Sequence, residues 1–164
     1  MGIKIIFLDV DGVLNCESTK ERFHGYIGVE QSKISILKEI IEATNAKIVL
    51  SSTWRLDMWW YRQGDNRKLD TYNYIVDELA KQGLVIFDIT PHHKDSWRGR
   101  EIQEWLDTTT EEIDGYVVID DDTYDIAKEH RGHLLTTSWK YGLKPNAEKI
   151  AIDILNKEDK KQDE

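Results

Sequence analysis

Four aspartates and a serine carry the chemistry this chain can be expected to do. Asp9 and Asp11 stand two residues apart in LDVDG, Asp120 and Asp121 follow an apolar run in VVIDDD, and Ser51 closes another in KIVLSS. Two carboxylates about 4 Å apart repel by about 4 kcal/mol at an effective dielectric of 20, so four gathered acids need a cation. Oxygen-only donors with no His or Cys nearby in sequence suit Mg²⁺ rather than zinc. An Asp nucleophile with a second Asp two residues on also forms a sensible phosphoryl-transfer pair. The first attacks phosphorus, and the second protonates the leaving oxygen and then activates water. A strand-end hydroxyl such as Ser51 and a cation from a following helix can hold the remaining phosphate oxygens.

Such a set works only if the fold gathers it. Apolar, β-branched runs occur at residues 3–10, 46–51, 84–89, 115–119 and 133–136. Between them Ile34, Leu37, Ile40 and Ile41 recur on one helical face, and residues 69–81, 101–106 and 145–155 read the same way. Near-continuous apolar strands separated by helices mean that both faces of the sheet are covered. The expected architecture is therefore α/β, a three-layer, doubly wound, Rossmann-like parallel sheet of about five strands. Working residues in such sheets lie at the carboxyl ends of the strands. Asp9–Gly12, Ser51–Arg55 and Asp120–Asp122 then share one edge.

Composition bounds the rest. The 164 residues fit a single domain, read as residues 1–156 followed by a solvated tail at 157–164. A net charge of −9 argues against non-specific coating of nucleic acid or an anionic membrane. The single cysteine, Cys16, excludes an internal disulfide framework. The apolar start contains Lys4 and ends in Asp9, which does not read as a signal peptide, and no run of about eighteen apolar residues occurs. The expectation is a soluble cytoplasmic domain.

Asp9-Val10-Asp11-Gly12-Val13 resembles the first motif of the haloacid dehalogenase (HAD) superfamily. KIVLSS is similar to its second motif and VVIDDD to its fourth, all three in order and in register with the expected strands. More narrowly, SSTWR, RGREIQEWL and GLKPNAEKIAIDIL resemble the small HAD domains of bacterial and phage RNA-repair-type proteins. The resemblance implies Asp9 as nucleophile and Mg²⁺ ligand, and Asp11 as general acid/base with its main-chain carbonyl on the metal. It implies Ser51 as phosphate binder and Asp121, with Asp120 beside it, as the further metal ligand. Lys94, Arg98 and Arg100 are candidates for the third-motif cation; Arg98 best matches the pattern and Arg100 comes second. Gly12, Ser52, Trp54, Arg55 and Arg100 are expected at the substrate. Asp122 and Asp125 are expected in supporting or helix-capping positions.

Access narrows the substrate. Neither residues 12–46 nor 99–120 hold enough chain for a cap domain, only a hairpin-like flap near 17–29 in the first interval. An open site suits a nucleotide or a nucleic-acid end, with sugar phosphates, phosphoproteins and closure by a second copy as alternatives. Residues 54–68 interleave Trp54, Trp59, Trp60 and Tyr61 with Arg55, Arg62, Arg67 and Lys68. That segment reads either as a base-stacking platform or as a loop packed onto the domain or a dimer partner. Rival readings of the whole chain are a receiver domain, disfavoured because the acid run follows the fourth strand, and a non-catalytic binding module using residues 54–68.

Overall fold

The computed structural model describes residues 2–157, so nearly all of the expected tail lies outside the described residues. In chain order the elements are β1 (Ile3–Leu8), β2 (Arg22–Phe23), β3 (Tyr26–Ile27), α1 (Gln31–Thr44) and β4 (Lys47–Leu50). A 3-10 turn (Thr53–Arg55) leads into α2 (Leu56–Arg62), α3 (Asp70–Ala80), β5 (Ile86–Ile89) and α4 (Arg98–Thr108). The chain closes with β6 (Ile113–Asp120), α5 (Ala127–His130), β7 (Leu134–Thr136) and α6 (Ala147–Leu155).

Five strands form one sheet in the order β5-β4-β1-β6-β7, and each neighbouring pair is parallel. The chain runs outward from β1 through β4 to β5, then returns to the other side of β1 for β6 and β7. That reversal beside β1 is the topological switch point at which ligands bind in open α/β sheets. The expected doubly wound, three-layer sheet is what forms.

Alternation along β1 shows why the strand reads as continuously apolar. Ile6 and Leu8 join Leu37 and Ile40 of α1, Ile75 and Leu79 of α3, and Ala151 and Leu155 of α6 in one core. Ile5 and Phe7 join Ile102 and Trp105 of α4 and Ile126 in the core on the opposite face. A strand buried on both sides cannot afford a polar face. Phe7 is fully buried, and its ring meets Trp105 and Tyr116 edge-on at 5.5 and 5.8 Å.

Register sets the working edge. Leu8 is the last paired residue of β1, opposite Leu50 of β4 and Ile119 of β6. The next residues are tied across: Asp9 N–H donates to the Ile119 carbonyl at 3.0 Å and Ser51 N–H to the Leu8 carbonyl at 3.0 Å. Asp9, Ser51 and Asp120 therefore lie side by side. The apolar run ends as a strand at Leu8 because the chain then turns: the N–H groups of Val13 and Leu14 both donate to the Val10 carbonyl.

Only a small antiparallel hairpin, β2 and β3, stands between β1 and α1. Its two turn residues, His24 (φ +49°) and Gly25 (φ +84°), have the positive φ that a tight hairpin turn requires. Phe23 stacks on Tyr74 of α3 at 4.4 Å, which holds the hairpin against the domain. The described residues include no cap domain, and no helix among them is long and apolar enough to cross a membrane.

Replacing Phe7 by Ala should cost about 3–5 kcal/mol, because the hole opens between β1 and α4 where both are rigid. Urea unfolding monitored by circular dichroism would show this as a lowered midpoint with the slope retained.

Candidate active site

Asp9, Asp120 and Asp121 each bring a carboxylate oxygen within 4.8 Å of the others. Asp9 and Asp120 are buried. Arg98, the first residue of α4, reaches both: its Nη1 lies 2.7 Å from Asp120 Oδ2 and 3.4 Å from Asp9 Oδ1. The second oxygen of Asp120 accepts the N–H of Asp122 at 2.9 Å.

One cation does not balance three acids. Burial pushes the Asp9 carboxyl up to about 8, and Asp120 and Asp121 add to the rise while Arg98 opposes it. Asp121 is likewise raised, by burial and by Asp120. Burial alone would weaken the Arg98 charge, but Asp9 and Asp120 outweigh it and hold the guanidinium above its ordinary range. The donor set fits a hard divalent cation: clustered carboxylates with no Cys or His among them. Beside them the Ser51 hydroxyl is buried and has no partner among the described residues.

Gly12 is required by contact as well as by conformation. Its φ is +78°, and a Cβ there would run into the Asp121 carboxylate. The backbone after β1 thereby passes directly against the Asp121 carboxylate.

Asp11 faces outward where Asp9 faces inward. Its Oδ1 accepts from Asn15 Nδ2 at 3.0 Å and its Oδ2 from Trp54 Nε1 at 3.1 Å. Asn15 is fully buried and also donates to the carbonyls of Ile27 and Gly28, while its own oxygen accepts the Gly12 N–H. One side chain thus joins Asp11, the Gly12 turn and the hairpin. From the far side, Thr137 Oγ1 donates to the Gly12 carbonyl at 2.5 Å.

The other expected contacts fall differently. Ser52 caps the 3-10 turn, its hydroxyl accepting the Trp54 N–H at 3.2 Å. Arg55, expected at the substrate, is instead inside the protein at 2% exposure. It donates to the carbonyls of Ser51, Ser52, Thr90 and Pro91 and pairs with Glu101 at 3.2 Å. Burial lowers its guanidinium to about 10 even with Glu101 alongside. Its work is to lock the strand end that carries Ser51 to α4. Arg100 is exposed, paired with Asp95 and stacked over Trp97 at 4.4 Å, away from the acids. Lys94 is an exposed loop residue. Of the three candidate cations, Arg98 alone meets the aspartates.

Residues 54–68 do not make a continuous platform. Asp57 accepts the N–H groups of Thr71 and Tyr72 at the start of α3, and Trp59 packs partly against the core. Arg62 and Arg67 pair with Asp88 and Asp65. Trp54 is the aromatic of the segment that joins the cleft. With Asp11, Thr53 and Thr71 it lines a pocket of about 420 Å³ whose other walls are Tyr26, Ile27 and Trp139.

α4 is held where Arg98 needs it. Asp125 Oδ2 lies 3.5 Å from the Gly99 N–H, and buried His130 donates Nε2–H to the Gly99 carbonyl at 2.8 Å while accepting the Tyr116 hydroxyl at Nδ1. Asn15, Thr137, His130, Glu101 and the aromatic walls Tyr26 and Trp139 escaped the sequence reading. Glu101 had a visible signal, because it shares a helical face with Ile102 and Trp105 where an apolar residue is expected.

A doubly wound parallel sheet with an acid cluster, a basic helix start and no cap is the architecture of a small HAD-type domain. Residues 5–147 match the family described as the HAD domain in Swiss Army Knife RNA repair proteins, and the chain belongs to that family. No curated protein and no solved structure matches it.

The raised Asp9 carboxyl has a consequence for stability. The ordinary value is 3.8 and the folded value about 8, so the unfolded chain loses this proton first. The metal-free fold should therefore lose stability as pH rises from about 4 through 8. Mg²⁺ should raise Tm more at pH 8 than at pH 5, where it must displace the proton. Differential scanning fluorimetry at both pH values checks this, and an equal shift at both would refute it. Asp9→Asn should flatten the metal-free descent.

Proposed function

We propose that the protein is a Mg²⁺-dependent phosphomonoesterase acting through an aspartyl-phosphate on Asp9, with a nucleotide or nucleic-acid-end phosphate as substrate. The observation that carries this reading is the pairing of an inward Asp9, set among Asp120, Asp121 and Arg98, with an outward Asp11 that opens on a pocket. Family membership among RNA-repair HAD domains supports the substrate class.

Asp9, Asp121 and the Asp11 main-chain carbonyl would hold the metal, with Asp120 beside them. When bound, Mg²⁺ supplies positive charge that offsets the acids and the phosphate oxygens. The protein's own groups do the rest. Arg98 and the unpartnered Ser51 hydroxyl bind and orient the phosphate. An Asp9 oxygen attacks phosphorus in line with the ester oxygen. As the bond to that oxygen breaks, Asp11 gives it a proton and the alcohol departs. Asp11, now a carboxylate, takes a proton from water, the hydroxide attacks phosphorus, and the bond to Asp9 breaks. Inorganic phosphate leaves and both aspartates are restored.

Asp120 has both oxygens committed, to Arg98 and to the Asp122 N–H, which favours Asp121 as the freer ligand.

Asp9→Asn should abolish Mg²⁺-dependent phosphate release. Asp11→Asn should lower kcat by about 10²–10⁴ for a substrate with a poor leaving group, and by much less for an aryl phosphate whose leaving oxygen needs no proton. Steady-state phosphate release measures both, and full activity in Asp9→Asn would refute the mechanism.

A further inference from the structure

The pocket beside Asp11 is built for something the phosphate chemistry does not require. Asp11 is the one acid of the site in its wall; Asp9, Arg98, Asp120 and Asp121 are not among its lining residues. It therefore begins at the group that protonates the leaving oxygen and extends away from the groups that hold the phosphate. That is the side on which the leaving alcohol must lie.

The walls are three aromatic rings and one isoleucine, with the side chains of Thr53 and Thr71 among them. No Lys or Arg lines the pocket, so nothing there matches a second phosphate. Two of the rings stay wet: Tyr26 is 60% exposed and Trp139 41% exposed. Large aromatic faces left in water at the mouth of a pocket gain area burial only when a ligand arrives. Trp54 forms the inner wall, fixed by its bond to Asp11 and meeting the Tyr26 ring edge-on at 5.9 Å. The volume, about 420 Å³, falls within the range of about 300–1,000 Å³ usual for small-molecule sites.

We infer that this pocket is the nucleobase subsite for the leaving nucleoside, with the base stacked on the exposed rings of Tyr26 and Trp139. The inference rests on the phosphomonoesterase reading above and names its leaving group. A sugar phosphate offers no flat aromatic face to the exposed sides of the two rings. The phenyl ring of a phosphotyrosine would fill only part of the volume and offer no edge donor or acceptor to Thr53, or to the Thr71 hydroxyl that already donates to Asp57. A purine or pyrimidine offers a flat face to the rings and edge donors and acceptors to the hydroxyls. Asn15 makes the subsite and the chemistry one unit, because it bonds Asp11 and also the Ile27 and Gly28 carbonyls of the hairpin that carries Tyr26. Seating the base thereby seats the ester oxygen against Asp11.

The test uses the full chain with Mg²⁺ and two readouts. Calorimetric binding to the Asp9→Asn variant compares adenosine 3′- and 5′-monophosphates with ribose 5-phosphate and a phosphotyrosine peptide. Turnover of the same four compounds by the unmodified chain gives kcat/KM. At least one nucleotide should bind and react about 5–150-fold better than ribose 5-phosphate, the range expected for one stacked base. Tyr26→Ala and Trp139→Ala, both at exposed positions, should bring that ratio close to one. A ratio near one in the unmodified chain, a ratio that neither substitution moves, or a preference for the phosphotyrosine peptide would overturn the subsite. If binding discriminates and the discrimination depends on Tyr26 and Trp139, but no compound releases phosphate, the subsite stands and the phosphatase reading falls.

Discussion

At the carboxyl end of β1 the chain places Asp9 against Asp120 and Asp121, and supplies Arg98 as the nearest counter-charge. Like charges about 4 Å apart cost about 4 kcal/mol each pair at an effective dielectric of 20, a large fraction of the stability of a small domain. The rest of the structure is arranged around that repulsion. β1 is apolar on both faces and central in the sheet, so its end cannot relax away from its neighbours. The first turn of α4 is fastened twice, through the Gly99 carbonyl to His130 and through Glu101 to Arg55. Arg98 is thereby delivered to the acids by a helix that cannot withdraw. What remains is a surplus of negative charge, which adds to the larger effect of burial in raising the Asp9 carboxyl and which a bound cation would offset.

The same constraint divides the site into two halves with different physics. On one side Ser51, Arg98 and Asp120 are tied to strand ends and a helix start, where rigid elements hold charges to within fractions of an ångström. On the other side Asp11 opens to solvent among pieces of loop and hairpin: Tyr26, Trp54 and Trp139. In the proposed reaction the phosphate is common to all substrates and the leaving group is not. A rigid half for the one and an aromatic, adaptable half for the other is a consistent division. Asn15 and Gly12 lie at the seam, the first bonded to both the acid and the hairpin, the second passing so close to Asp121 that no side chain fits.

How far this could be read from the sequence follows from range. The five strands were legible because burial on both faces writes itself as an unbroken apolar run, and the motif acids were legible because strand ends in this topology share an edge. Arg98 was separable from Arg100 by pattern, and the structure gives the physical reason: Arg98 opens α4 towards the acids, while Arg100 meets Asp95 and Trp97. Arg55 was misread because a cation just after the strand end that carries Ser51 looks like a ligand. Its partner, Glu101, is 46 residues away in sequence, and only packing brings the pair together. The two readings of residues 54–68 stayed open for a similar reason, since composition cannot tell a stacking ring from one that packs on the core, as Trp59 does in part. Tyr26 and Trp139 were missed because the pocket is made by segments 113 residues apart, each unremarkable alone.

Arg98 also holds its two carboxylates by unequal contacts. The contact to Asp120 is short, 2.7 Å, and Asp120 has its other oxygen on the Asp122 N–H, so that pair is a fixed anchor. The contact to Asp9 is longer, 3.4 Å, and comes from the same guanidinium nitrogen. A nucleophile clamped by a short, charge-assisted bond would have to break it before attacking, and a bond of that kind contributes about 1.5–3 kcal/mol. The asymmetry leaves Asp9 under the field of Arg98 without spending its lone pairs there. A lysine at this position would offer a compact, more strongly hydrated charge on a flexible stem, and would not hold the same planar geometry against Asp120 while reaching Asp9. In the proposed reaction that asymmetry fits a site in which the anchor, Asp120, and the nucleophile, Asp9, are separate acids.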